Sequence, residues 1–243
     1  MQKLRKASSL KLLFQFPKYK DDLLGFMESL IHDYGDAIEF RLGNFKGLFL
    51  NKPEYYKYVM LENWSNFPKS DRYKVFSPLI GDSILSANGP RWKFRRTLIQ
   101  PLLSTKKIKV FDEPIQKTIQ GMIHGLDKQE QINISQMMSQ ITFKLICRLS
   151  FSGDIEEKFD EFSNLVHTLA KESKDRAITP FLFLNKAPLP RNFKYRNLSS
   201  RAHQIVDQII HHRIENPSNE VDLLSLMLTA KDEEGNKLSL VDL

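Results

Sequence analysis

A single cysteine, Cys147, is all the thiol this chain has, so no disulfide framework can form within it and no multi-cysteine metal site can be built. Long apolar runs are equally scarce. Near the start, Leu10, Leu12, Leu13, Phe14 and Phe16 are set among Lys3, Arg5, Lys6 and Lys11. That stretch is too short and too interrupted to span a bilayer, and no small-residue cleavage site follows to make it a secretory signal. Its basic, amphipathic character is compatible with resting on an anionic membrane surface. Also missing are Gly-x-Ser-x-Gly, His-Glu-x-x-His, a phosphate loop and Gly-x-Gly-x-x-Gly, which removes the commonest hydrolase, metalloprotease and nucleotide-binding readings. The expected location is cytoplasmic, with peripheral membrane contact as its variant, and the sequons at Asn63, Asn133 and Asn197 then carry no sugar.

What is present is enough for a core. The chain has 243 residues, 41% of them hydrophobic, which suits one large domain or two small ones. Lys and Arg number 36 against 29 Asp and Glu, a net charge of +7, which permits an acidic protein, a nucleic acid or an anionic surface as partner and selects none. Without aromatic interleaving or a recognisable module, nucleic acid is not expected.

Periodicity sketches the elements. Leu23, Leu24, Met27, Leu30, Ile31 and Tyr34 recur at helical spacing with Gly35 as a stop. Ala37 to Leu42 and Leu48 to Leu50 read as strands of a hairpin, and Pro53 opens a helix reaching about Leu61. Between Trp64 and Ile84 no period survives, which predicts a long loop bearing Phe67, Tyr73, Val75, Phe76, Leu79 and Ile80. Further helices are predicted from about Lys106 to Leu126, from Ser135 as a cap to Leu149, from Phe159 to Leu169, and from Tyr195 to Ile214. Between the last two lies a proline-broken stretch with Phe181, Leu182, Phe183 and Leu184, for which a buried turn is the expected fate. Cys147 falls in an apolar helical stripe and reads as a packed, inert thiol. His211 and His212 are adjacent, so they diverge and make a poor metal pair.

The chemically pointed stretch is Leu79 to Ser104. Gly89-Pro90 reads as a helix start and Pro101 as its end. Trp92 and Arg96 are four apart and so share a face, with Arg95 beside them, Ile99 and Leu103 continuing the stripe, and Phe94 and Leu98 nearly opposite. A guanidinium among apolar neighbours needs an anion, and a planar carboxylate matches its fork of donors; the indole N–H one turn earlier is another donor.

The run Gly81, Gly89, Trp92, Arg96, Pro101, Ser104 resembles helix C of the cytochrome P450 family, whose tryptophan and arginine at this spacing hold a haem propionate. The helix, hairpin and helix before it, Asn51-Lys52-Pro53-Glu54, the ending Leu149-Ser-Phe-Ser-Gly-Asp154 and the tail from Asp222 also match that family's pattern, although it more often has glycine directly after the phenylalanine. The resemblance implies a mainly α fold with a small β-hairpin. It places residues 1 to 243 as the N-terminal half of one P450-like domain: an N-terminal lobe at about 20–62, the loop before helix C with helix C at about 64–104, and helices D to H at about 105–231. The helix that handles oxygen, the Glu-x-x-Arg pair and the axial cysteine loop are not in this sequence, and Cys147 lacks the context of that ligand. The implied activity is haem- and oxygen-dependent monooxygenation of a small apolar substrate, with haem b as cofactor, Trp92 and Arg96 as its contacts, no catalytic or metal-ligating residue in this chain, and a redox partner of ferredoxin, flavodoxin or reductase type. The chain taken alone is expected to be truncated, inactive and marginally folded. Arg91, Lys93, Lys106, Lys107 and Lys109 are expected to form an exposed positive patch. The rival is a non-catalytic helical binding or scaffold module that uses its basic face for an acidic partner.

Overall fold

The computed structural model describes residues 4–12, 14, 22–42, 45–124, 133–178, 182–217, 222–232 and 234–239. In chain order the strands are β1 (Arg5–Lys6), β2 (Ala37–Leu42) and β3 (Phe45–Leu50). Helices are α1 (Leu23–Tyr34), α2 (Pro53–Lys57), α3 (Ser77–Ile80), α4 (Gly89–Ile99), α5 (Thr105–Ile108), α6 (Asp112–His124), α7 (Ile134–Phe151), α8 (Phe159–Ile178), α9 (Pro190–Glu215) and α10 (Leu223–Thr229). The fold is therefore mainly helical, and the chain divides into two compact units, residues 1–76 with 172–193 and residues 77–171 with 194–243.

The first unit is built on the sheet. β2 and β3 pair antiparallel, Ile38 opposite Phe49 and Phe40 opposite Gly47, as the hairpin reading predicts. The sequence did not reveal β1, which adds to β2 in parallel; two residues are too few to show a period. Alternation turns Ile38 into a core with Ala7, Leu12 and Leu30, against which Phe26, Tyr34, Phe40 and Phe49 pack. Two glycines make this geometry possible. A Cβ at Gly25 would lie 2.2 Å from Asp22 Oδ2, and that same side chain caps α1 by accepting from the Gly25 N–H at 2.9 Å. A Cβ at Gly47 would meet the Phe40 ring at 2.4 Å. The helix opened by Pro53 ends at Lys57, and the chain continues as a π turn over Tyr58–Glu62 closed by Asn63 N to Tyr58 O at 2.9 Å.

In the second unit the core gathers Cys147, Ile155, Leu165, Leu169, Tyr195, Ala202, Ile205, Ile209, Ile210 and Leu224. Phe143 lies 5.8 Å from Phe159 and 6.2 Å from Phe162, ring centre to ring centre, joining α7 to α8. The cap of α7 is Asn133 rather than Ser135, because Asn133 Oδ1 accepts the Gln136 N–H at 3.1 Å. Both α8 and α9 outrun their apolar stripes: α8 continues to Ile178, and α9 starts at Pro190, where a proline loses no hydrogen bond.

One buried side chain ties four segments of this unit together. Arg213, 4% exposed, donates Nε and Nη2 to Asp154 Oδ2 at 2.9 and 2.7 Å, Nη2 also to Phe151 O at 3.1 Å, and Nη1 to Asp222 Oδ2 and Ser225 Oγ, both at 2.7 Å. Asp222 in turn caps α10 through the Ser225 N–H at 2.8 Å. Arg213→Met would leave the 1%-exposed Asp222 without its cation, and such a loss costs about 3–5 kcal/mol. Chemical denaturation of the variant should show a drop of that order.

After α7 the backbone turns through Ser152, whose φ of +50° makes it the only non-glycine with positive φ among the described residues. A side chain there is strained, by about 1 kcal/mol or more. We expect Ser152→Gly to raise the melting temperature by about 2–4 °C; a lower melting temperature would mean that the seryl side chain contributes more than the strain costs.

Candidate functional site

Helix α4 follows an extended Asn88 and starts at Gly89, whose φ is +60°. That conformation suits glycine, and Pro90 then supplies a φ already helical. The α-helix ends at Ile99 and tightens into a 3₁₀ turn over Gln100–Leu103, consistent with Pro101 as the breaker.

Trp92 and Arg96 lie on one face, as their spacing predicts: Arg96 Cζ sits 5.0 Å from the centre of the Trp92 ring. Arg96 Nε donates to Gln100 Oε1 at 3.1 Å. The other arginines of the helix are satisfied differently. Arg91 Nη1 meets Asp82 Oδ2 at 2.6 Å, and Arg95 Nη1 approaches the same oxygen at 3.5 Å. Among the described residues no carboxylate pairs with Arg96. The donor set that remains, the terminal nitrogens of a solvent-facing guanidinium beside an indole, fits a planar carboxylate.

The burial pattern corrects one expectation. The guanidinium enclosed by its surroundings is that of Arg95, with a side chain 5% exposed, while Arg96 is exposed and Leu103 on the same stripe is 55% exposed. Sequence spacing put Arg95 beside the pair, and its burial alongside Leu98 follows from an advance of about 100° per residue. Asp82, the acid that serves two arginines, was not singled out from the sequence; its only signal was its place ahead of a helix with four cations and no acid.

The positive patch is partly present. Lys93 and Lys109 are exposed, whereas Arg91 is exposed but engaged by Asp82; the side chains of Lys106 and Lys107 lie outside the described residues. Leu79 packs against the core of the second unit, and Phe67 and Tyr73 are 44% and 45% exposed. Phe183 and Leu184 do not form the expected buried turn, being 60% and 42% exposed; Phe181 and the Leu182 side chain lie outside the described residues. Asn192 fixes that turn by donating Nδ2 to Leu184 O and Ala187 O at 2.9 and 2.7 Å, while its Oδ1 accepts from Arg176 Nη1 at 2.8 Å.

Cys147 is 2% exposed inside the core, and burial pushes its thiol from an ordinary 9.0 up to about 11. It is an inert thiol, as expected. His211 and His212 are exposed, and no group of three metal-ligating side chains occurs among the described residues. No helix among them is long and apolar enough to cross a membrane. Two open grooves of about 650 and 590 Å3 lie along α7, one against α8 and one against α6; neither is lined by Trp92 or Arg96.

This geometry can be set beside known proteins. The chain is 28% identical over 215 residues to cyclooctat-9-en-7-ol 5-monooxygenase of Streptomyces melanosporofaciens, covering 88% of this chain and 46% of that protein. It is 25% identical to human cytochrome P450 4X1, covering 92% and 48%. It therefore spans about half the length of these relatives. Among solved structures, the cytochrome P450DA haem domain superposes with a TM-score of 0.79 at 17% identity, over 97% of this chain and 53% of that one. A retinoic acid-bound cyanobacterial CYP120A1 gives 0.76 at 16%, over 93% and 50%. The family model for cytochrome P450 matches residues 5–243, and the chain belongs to the cytochrome P450 family.

Proposed function

We propose that this chain is the part of a haem-dependent monooxygenase that holds the cofactor by its carboxylates, with Trp92 and Arg96 as the contacts. The observation that carries the reading is the charge distribution on α4: Asp82 meets Arg91 and Arg95, and Arg96, stacked on Trp92 at 5.0 Å, has no acid among the described residues. A haem propionate is a carboxylate of the right shape and charge for those donors. When bound, the haem b supplies the iron at which oxygen and electrons are used to oxidise an organic substrate. Arg96 would neutralise one propionate, Trp92 would offer its indole N–H and cover one side of the guanidinium, and Asp82 would keep the two other arginines from competing. The substrate class is a small apolar molecule.

An electron donor of ferredoxin, flavodoxin or reductase type would approach the outer side of α4. Lys93 and Lys109 are exposed there or nearby, and long-range attraction of an acidic protein by such charges weakens with salt. In a protein carrying the family's full length, Lys93→Glu should slow reduction several-fold at low salt and little at high salt. An unchanged rate at low salt would remove Lys93 from docking. Exposed Leu10 and Phe14 with the exposed cations Arg5, Lys6 and Lys11, and exposed Phe183 and Leu184, favour contact with an anionic membrane surface.

Haem titration of the 243-residue chain tests the main reading: Arg96→Ala should weaken haem binding about tenfold or more, the scale of a lost charge-assisted pair. Unchanged affinity would sink it. The chain taken alone should give no thiolate-type carbon monoxide spectrum, since its one thiol is enclosed among Ile155, Leu165 and Leu169 in the core. Reagent labelling gives an independent check: at pH 8 the folded chain's thiol, held near 11, should react far more slowly than in denaturant. A thiolate-type spectrum lost in Cys147→Ser would overturn both statements.

A further inference from the structure

We propose that Gln100 is a positioning residue that selects which edge of the Arg96 guanidinium is offered to a carboxylate ligand; this rests on the propionate reading of Arg96. A guanidinium can grip a carboxylate side-on, through Nε and one terminal nitrogen, or end-on, through the two terminal nitrogens. Gln100 Oε1 takes the Nε–H at 3.1 Å, which closes the side-on edge. Trp92 lies 5.0 Å away against one face. What remains for an incoming carboxylate is the end-on edge.

The backbone supports this arrangement. The Gln100 N–H bonds the Arg96 carbonyl, and Gln100 keeps a helical φ of −57° and ψ of −41° although it precedes Pro101, a position that disfavours helical angles. An extended Gln100 would carry its side chain away from Arg96. The side-chain chemistry matters as much. An amide oxygen orients the guanidinium without cancelling its charge, whereas a carboxylate at the same place would neutralise it, as Asp82 does for Arg91 at 2.6 Å.

The test compares haemin with haemin dimethyl ester, whose propionates are blocked. The chain has two tryptophans, and the exposed Trp64 can be replaced in a Trp64→Phe background, so quenching of Trp92 reports binding of each form. The readout is the ratio of the two affinities, which does not depend on the fraction of chain that is folded. The parent should favour the free acid about tenfold, and Arg96→Ala should bring the ratio close to one. Gln100→Glu should do the same with Arg96 intact, because its own carboxylate occupies the guanidinium. Gln100→Met, matched in length and helix propensity but without an oxygen acceptor, should fall between. If Arg96→Ala loses the preference while both Gln100 variants keep the parental ratio, the positioning role is overturned and the propionate reading stands. If Arg96→Ala keeps the preference, or the parent binds the two forms equally or neither, both fall.

Discussion

Helix α4 carries Arg91, Lys93, Arg95 and Arg96 in eleven residues with no acid of its own, and that surplus of positive charge governs what the site can be. Cations near a helix N-terminus oppose the helix dipole, so Arg91 is the costliest of the four, whereas Arg96 in the last turn is favoured by it. Asp82 meets the need where it is greatest: it reaches Arg91 and the enclosed Arg95 through one oxygen. An exposed ion pair adds little stability, about 0–1 kcal/mol, so the importance of Asp82 lies in the arrangement of charge it leaves behind. Relief for Arg91 and Arg95 leaves Arg96 and the exposed ammonium of Lys93 as the cations this helix turns outward, and of the two only Arg96 offers a planar fork.

Buried arginines elsewhere show the contrast. Arg213 uses every nitrogen of its guanidinium on Asp154, Asp222, Ser225 and the Phe151 carbonyl, and Arg176 binds Asn192 Oδ1 and the Arg191 carbonyl. Such enclosed forks fix the mutual placement of the segments they join, at a desolvation cost offset most fully at Arg213, where every nitrogen is hydrogen-bonded. Arg96 is exposed and held by an amide and a ring instead. A structural fork is closed by the chain's own groups, whereas a fork meant for a ligand must be left open while being held still; Arg213 and Arg96 differ in partner chemistry and burial in that sense, not in residue type.

Reading the sequence located the long elements because their apolar stripes are long. Ile205, Ile209 and Ile210 in α9, and Leu165 and Leu169 in α8, sit at helical spacing and are all in the core. Where burial is absent the signal fades. The end of α8, from Lys171 to Arg176, is polar in sequence, and its helical state rests on ties such as Arg176 to Asn192, sixteen residues away. β1 could not be seen because a two-residue strand takes its identity from its partner Ile38 and from Ala7 N bonding Glu39 O at 2.9 Å. The cap at Asn133 was misplaced by two residues since serine and asparagine both cap well, and only the backbone angles decide between them. At the site, spacing sufficed to pair Trp92 with Arg96. It could not say which of two adjacent arginines is enclosed, because that depends on which side of α4 the rest of the unit covers.

Haem–thiolate proteins in general separate two tasks. Carboxylate contacts decide where the macrocycle sits and how it is turned, whereas the axial ligand sets the electronic character of the iron. The first task needs only donors on a rigid element, and in the reading proposed above α4 would supply them within two helical turns, between Pro90 at one end and Pro101 at the other. The second needs a thiolate with access to the metal. Cys147 is 2% exposed within the core, which leaves its sulfur no room to meet a metal, and the same packing raises its thiol to about 11. Burial that stabilises the helical scaffold therefore withdraws the chain's one thiol from solvent, and in the proposed reading what α4 offers a cofactor is orientation alone.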